Sequence, residues 1–138
     1  MRNWHTNIVL LTLLGMITGC SDGDSGKTFE FPDFDINIQT DPETLQVGKD
    51  ADIRVSIIDT SEEHAAKSGC GVKFRQYMPG MQMDNDDIYI DMKEAENGVY
   101  QGRSGEFSMG GDWVIEFDIK CQDETHTVPI PYHLEWPE

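Results

Sequence analysis

From Phe29 onward the chain alternates apolar and polar residues with a period of two, and helical spacing is nearly absent. "FDINIQ" puts Phe34, Ile36 and Ile38 on one face. "ADIRVSIID" turns Ala51, Ile53, Val55 and Ile57 inward and Asp52, Arg54 and Ser56 outward. "GCGVKFRQY" aligns Cys70, Val72 and Phe74, "DIYIDM" aligns Ile88, Ile90 and Met92, and "GVYQG" is a short strand with Val99 and Tyr100. "DWVIEFDIKC" is the clearest, with Trp113, Ile115, Phe117, Ile119 and Cys121 in one phase. The last, "TVPIPYHLEW", aligns Val128, Ile130, Tyr132, Leu134 and Trp136. Pro129 and Pro131 fall in its opposite phase and donate no ladder hydrogen bond, so this strand belongs at a sheet edge.

Turn pairs punctuate these runs at Asp41-Pro42, Val47-Gly48, Pro79-Gly80, Asn97-Gly98 and Gly110-Gly111. "TSEEHAAKSG" (60–69) reads as a loop. About seven strands over about 100 residues predict an all-β protein, a small antiparallel β-sandwich occupying residues 29–138 as one domain.

The start of the chain has a different logic. Arg2 precedes the apolar stretch Ile8 to Ile17, too short to span a bilayer of roughly 30 Å but suited to a signal peptide's core. It ends in "ITGC", which resembles the bacterial lipobox. That resemblance implies a signal peptide over residues 1–19, diacylglycerol on the Cys20 sulfur and acylation of the new N-terminus, palmitate being the usual chain. Several acyl chains, each contributing about 0.8 kcal/mol per buried CH₂, would hold the protein stably on a membrane. Residues 20–28 then comprise the lipidated cysteine and a flexible Ser/Gly/Asp tether. Ser21 rather than Asp follows the cysteine, which in a Gram-negative cell points to the periplasmic side of the outer membrane. The expected location is therefore extracytoplasmic and lipid-anchored.

Acids outnumber Lys plus Arg by 26 to 10, a net charge of −16, which becomes −17 once Arg2 leaves with the signal. Such a surface repels nucleic acid and excludes phosphate-backbone binding. It suits either attraction of cations or a basic partner, or simple solubility. Assigning Cys20 to lipid leaves Cys70 and Cys121, both on inward phases. In an oxidising compartment they suit an inter-strand or inter-sheet disulfide, with a two-cysteine metal site as the alternative.

The unusual chemistry is "MPGMQM" at 78–83. Pro79-Gly80 suits a type II turn, which brings Met78 and Met81 within about 7 Å at their Cα atoms. Met81 and Met83 share a face if a strand resumes at once, and Met109 in "FSMGGDW" falls toward the same end. Two readings stand. Thioethers select Cu(I) over harder cations; equally, Met fills irregular gaps beside rings such as Phe74, Tyr77, Phe107 and Trp113. "DNDD" (84–87) offers oxygens to Ca²⁺ but lacks the EF-hand glycine and distal glutamate, so it reads as a solvated turn. His64, His126 and His133 are scattered, and no nucleophile elbow, phosphate loop or HExxH appears, so no enzyme is expected.

Met78-Pro79-Gly80-Met81, then Gly98-Val99-Tyr100, then Phe107-Ser108-Met109-Gly110-Gly111-Asp112-Trp113 together resemble the YtkA/FixH-like family, over roughly residues 53–119. The resemblance implies an immunoglobulin-like sandwich outside the cytoplasm, in contexts that include copper-oxidase maturation and metal efflux. The cysteine pair is not part of that pattern. Where relatives carry a histidine after the second Met, this chain has Gln82 and Met83, which favours Cu(I) over Cu(II). The expectation is a lipid-anchored binding domain handling Cu(I) through Met78, Met81, Met83 and Met109, alone or with a copper-handling partner. The alternative is an envelope protein-interaction module in which the Met turn is structural and an acidic face or the last strand recruits the partner.

Overall fold

The computed structural model describes residues 26–61, 63–82 and 87–138. The expected signal peptide, Cys20, Met83 and most of "DNDD" lie outside the described residues.

The alternating segments form strands, and their inward positions make one core. Ten strands are described: β1 (Lys27–Glu30), β2 (Phe34–Asp41), β3 (Asp52–Asp59), β4 (Ala65–Ala66), β5 (Gly71–Tyr77), β6 (Ile90–Asp91), β7 (Lys93–Glu96), β8 (Val99–Arg103), β9 (Gly111–Cys121) and β10 (Glu124–Leu134). Seven match the expected segments; β1, β4 and β7 are additional. None of the three carries an apolar alternation: β7 reads "KEAE" and is exposed throughout. Strand β1 also moves the domain boundary forward, because Lys27 and Thr28, expected in the tether, pair with Ile38 and Asn37. "DIYIDM" is only partly a strand, with Met92 buried and Ile88 exposed.

One sheet runs β1-β2-β3-β8-β7 with β4 beside β3, and the other runs β10-β9-β5-β6. Every pairing is antiparallel. The order β2-β3-β8-β7 against β10-β9-β5-β6 is that of the immunoglobulin sandwich. Between the sheets lie Ile36, Ile53, Val55, Ile57, Phe74, Tyr100, Phe107, Trp113, Ile115, Phe117 and Ile119, all buried. Each such side chain contributes about 1.5–3 kcal/mol relative to exposure, the main source of stability. As expected, β10 is an edge strand. Pro129 and Pro131 lie opposite Glu116 and Val114, on the phase whose missing N–H groups face away from β9.

The registers define two ends. At one lie Lys27, Asp41, Asp52 and Arg103 of the first sheet and Tyr77, Gly111 and Leu134 of the second. Lys27 joins the sheets here: its Nζ donates to the Pro131 carbonyl at 3.1 Å and lies 4.0 Å from the Tyr132 ring centre. At the other end lie Gly71, Cys121 and Glu124, with His126 packed on the Phe31 and Phe34 rings. We call these the Lys27 end and the Cys70 end.

Cys70 and Cys121 form a disulfide with Cα atoms 4.4 Å apart. Strands β5 and β9 are neighbours, and continuing their register from Gly71↔Lys120 sets the two cysteines directly opposite. The bridge is thus inter-strand within one sheet, unlike the antibody bridge that crosses the core.

Candidate functional site

The Met turn closes the Lys27 end of the second sheet. Gly80 has φ 80° and the Met81 N–H donates to the Met78 carbonyl at 3.2 Å, as Pro79-Gly80 predicts. The turn sends its two outer methionines to different environments. Met78 is 7% exposed and belongs to the core, whereas Met81 is 47% exposed. Met109 is partly buried against the core. Because Tyr77 pairs with Val114, the segments after β5 and before β9 meet at one end. The structure therefore gathers Met78, Met81 and Met109 at one end, with Met78 sealed off from solvent; Met83 lies outside the described residues. Among the described residues no group of three or more His, Cys, Asp or Glu is arranged to hold a metal.

The three motif segments are tied to one another by specific contacts. The Met78 methyl fills the space above Gly111, 2.9 Å from where a Cβ would stand, and Gly111 has φ 123°. Trp113 donates from Nε1 to the Met109 carbonyl at 2.9 Å, and Phe107 meets the Trp113 ring edge-on at 5.2 Å between centroids. Phe107 also holds the 42–51 loop: its carbonyl accepts the Gly48 N–H at 2.8 Å. The middle motif works at the Cys70 end. Tyr100 accepts the Cys70 N–H and donates to the Lys67 carbonyl, each at 3.0 Å. A Cβ at Gly98 would stand 2.8 Å from Ala66 Cβ and 2.9 Å from the Lys67 nitrogen. These residues are mostly internal fastenings, and Met81 is the motif methionine most open to a ligand.

The histidines among the described residues do not converge. His126 points inward at the Cys70 end, His64 is exposed beyond β3, and His133 lies outward at the Lys27 end with Nδ1 2.7 Å from Asp112 Oδ1. That contact holds the His133 imidazole above its ordinary value of 6.5.

Sequence reasoning missed a polar cluster on the outer face of the second sheet. Arg75 and Glu116 are cross-strand partners, and Arg75 Nη2 lies 3.3 Å from both Glu116 carboxylate oxygens. The Tyr77 hydroxyl donates to Glu116 at 3.1 Å, and the Arg75 guanidinium lies 4.8 Å from the Tyr77 ring centre. Burial, and then the bond to Glu116, pushes the Tyr77 hydroxyl up, so it stays a neutral donor. Glu116 is engaged by Arg75, Tyr77 and Tyr89, which makes the cluster an internally paired facing. Its only sequence signal was a pair of opposite charges on outward phases. A second feature, an open concavity of about 850 Å³, crosses the outer face of the first sheet along Gln39, Arg54, Gln101 and Lys93. Beside it Arg103 is engaged by Asp50 at 2.6 Å and Asp52 at 3.1 Å.

No curated protein matches the chain. Among solved structures it is similar to a DUF4426 family protein from Pseudomonas aeruginosa PAO1, at 10% identity over 81% of this chain and 99% of that one, with a TM-score of 0.49. It is similar to BhCBM56, solved as a Br derivative, at 16% identity over 78% of this chain and 99% of that one, with a TM-score of 0.44. A DUF4785 family protein from Legionella pneumophila is similar at 12% identity, with 78% of this chain and 30% of that one covered and a TM-score of 0.47. The YtkA-like family model matches residues 32–118, a span that contains all three motif segments and the contacts that fasten them. The chain belongs to the YtkA-like family.

Proposed function

We propose that this protein is a lipid-anchored, non-enzymatic binding domain displayed outside the cytoplasm. The Cys70–Cys121 disulfide carries the reading, since such a bridge persists in oxidising compartments. It agrees with a lipobox at Cys20 followed by a short polar tether. In a Gram-negative host the anchor lies in the outer membrane, on its periplasmic side. The test is incorporation of a labelled palmitate analogue, with fractionation of the wild type and Cys20→Ser. The wild type should take the label and sediment with membranes, and the variant should do neither. An unlabelled wild type would sink the reading.

Its sharper form is Cu(I) handling at the Met turn, supported by the exposure of Met81 at the same end as a partly buried Met109. Met81 and Met83 are the proposed primary ligands, with Met109 in support. Met78 would need local opening to take part. These thioethers would supply a soft, neutral, redox-compatible donor set, with no proton to lose on binding. Anaerobic titration of the soluble Cys20→Ser domain should show about one equivalent of Cu(I). Met81→Leu/Met83→Leu should abolish binding with the melting temperature unchanged, whereas Met78→Leu should still bind. Identical titrations for wild type and the double variant would end the copper reading. A metal-free interaction module would instead yield a salt-sensitive partner through an acidic face. Strand addition at β10 is disfavoured, because Pro129 and Pro131 remove outward donors and Lys27 occupies the Pro131 carbonyl.

A further inference from the structure

We infer that the Lys27 end of the sandwich rests on the lipid surface, with Trp136 as its contact residue. The inference rests on the lipoprotein reading of Cys20 and adds which face meets the bilayer. Gly26 and Lys27 line one groove with Tyr132 and His133, so the chain enters the fold at this end. From Cys20 to Gly26 is 26 − 20 = 6 residues. Fully extended, that stretch reaches about 20 Å. Strands β9 and β10 each have 11 residues. At the rise of a strand they are about 34 Å long, and the part of β10 from Tyr132, beside Lys27, back to Glu124 at the Cys70 end is about 27 Å. A tether shorter than that distance cannot set the Cys70 end on the bilayer. The Cys70 end therefore cannot face the bilayer while the Lys27 end points away. Two orientations remain: the Lys27 end down, or the sandwich lying on its side.

The apolar surface decides between them. The exposed large hydrophobic residues among those described are Met81 at 47%, Ile88 at 59% and Trp136 at 64%. Met81 closes the turn that leaves β5, and Trp136 lies just beyond the end of β10. Ile88 precedes β6, whose antiparallel pairing of Ile90 with Phe74 directs its start toward the same end. All three thus collect at the Lys27 end. The Trp136 ring is seated on Gly110, where a Cβ would meet Trp136 Cγ at 2.7 Å, and most of the ring remains open. A supported indole with one free face suits the membrane–water interface. Lying on its side, the sandwich would press Arg54 and Gln101, or Arg75 and Glu116, against lipid and leave the apolar cluster in water. The charge of −17 also sets the lipid: zwitterionic headgroups, since anionic ones repel this surface.

The test uses the full lipidated protein in phosphatidylcholine vesicles with and without acyl-chain-brominated phosphatidylcholine. Once Trp4 leaves with the signal, the tryptophans are Trp113, buried, and Trp136, exposed. The brominated lipid should quench Trp136 emission, as expected of an interfacial indole. Trp136→Phe, which leaves Trp113 as reporter, should lose this quenching. Asp123→Trp in the Trp136→Phe background places a reporter in the β9–β10 turn at the Cys70 end and should show none. Acylated, vesicle-bound protein whose Trp136 is unquenched, or whose residue-123 reporter is quenched equally, overturns the inference and leaves the lipoprotein reading intact. Protein that takes no acyl chain and does not float with vesicles overturns both.

Discussion

The Cε methyl of Met78 lies 2.9 Å from the point where a side chain at Gly111 would begin, so the Met turn and the entry to β9 share one space. This contact explains why a methionine and a glycine far apart in sequence belong to one structural unit. It also withdraws Met78 from solvent, leaving the ligand question with Met81, Met83 and Met109.

Gly111→Ala should be costly for two reasons: its φ of 123° disfavours any Cβ, and that Cβ collides with Met78. Urea unfolding should show a loss of about 2–3 kcal/mol. Met78→Ala relieves the collision but not the backbone strain. The double variant should therefore fall short of the sum of the singles by more than about 0.5 kcal/mol; strict additivity would refute the shared-space account.

Tyr100→Phe removes the acceptor for the Cys70 N–H and the donor to the Lys67 carbonyl in one step. The two bonds together should be worth about 2 kcal/mol in denaturant unfolding. Amide exchange at Cys70 should quicken as well, which a loss of packing alone would not target.

The disulfide closes a span of 51 residues. In the chain-entropy model it stabilises the fold by about 4 kcal/mol. Cys70→Ala/Cys121→Ala should lower stability by that order while keeping the β-sheet circular dichroism, because β5 and β9 remain paired from Gly71↔Lys120 to Tyr77↔Val114. Loss of the fold at neutral pH would show that the staple is required rather than supporting.

Burial pushes the Tyr132 hydroxyl from 10.0 to about 12. The folded chain holds the neutral phenol, so the contribution is complete below pH 10 and is lost as pH rises from 10 toward 12. Lys27, which burial lowers from 10.5, acts in the opposite sense, its desolvation cost vanishing as it deprotonates. Comparison of Tyr132→Phe with the parent isolates the tyrosine. The variant should lose less stability between pH 10 and 12, and equal alkaline slopes would contradict the assignment.

Much of the sandwich was legible because strand alternation is a local property. Trp113, Ile115, Phe117, Ile119 and Cys121 carry a period of two and are all buried. Residues held by partners rather than by pattern were not legible. Exposed β7 exists because β8 offers a ladder, and β1 because β2 does. Ile88 fits an inward phase by spacing yet is exposed, since the strand starts only at Ile90. The Arg75–Glu116 facing needed the register that sets those two residues opposite.

The sequence by itself determined the all-β class, the edge position of β10 and the Pro79-Gly80 turn, and it left Cys70 and Cys121 as either a disulfide or a two-cysteine metal site. Each of these follows from chemistry within a few residues or from the phase of a strand. Only the tertiary structure decided that the bridge lies within one sheet, that Met78 is sealed while Met81 is open, and that Trp136 sits on Gly110 at the end where the chain enters. Those outcomes depend on which strands become neighbours and in what register, a choice made by burial over the whole core and invisible to any single segment.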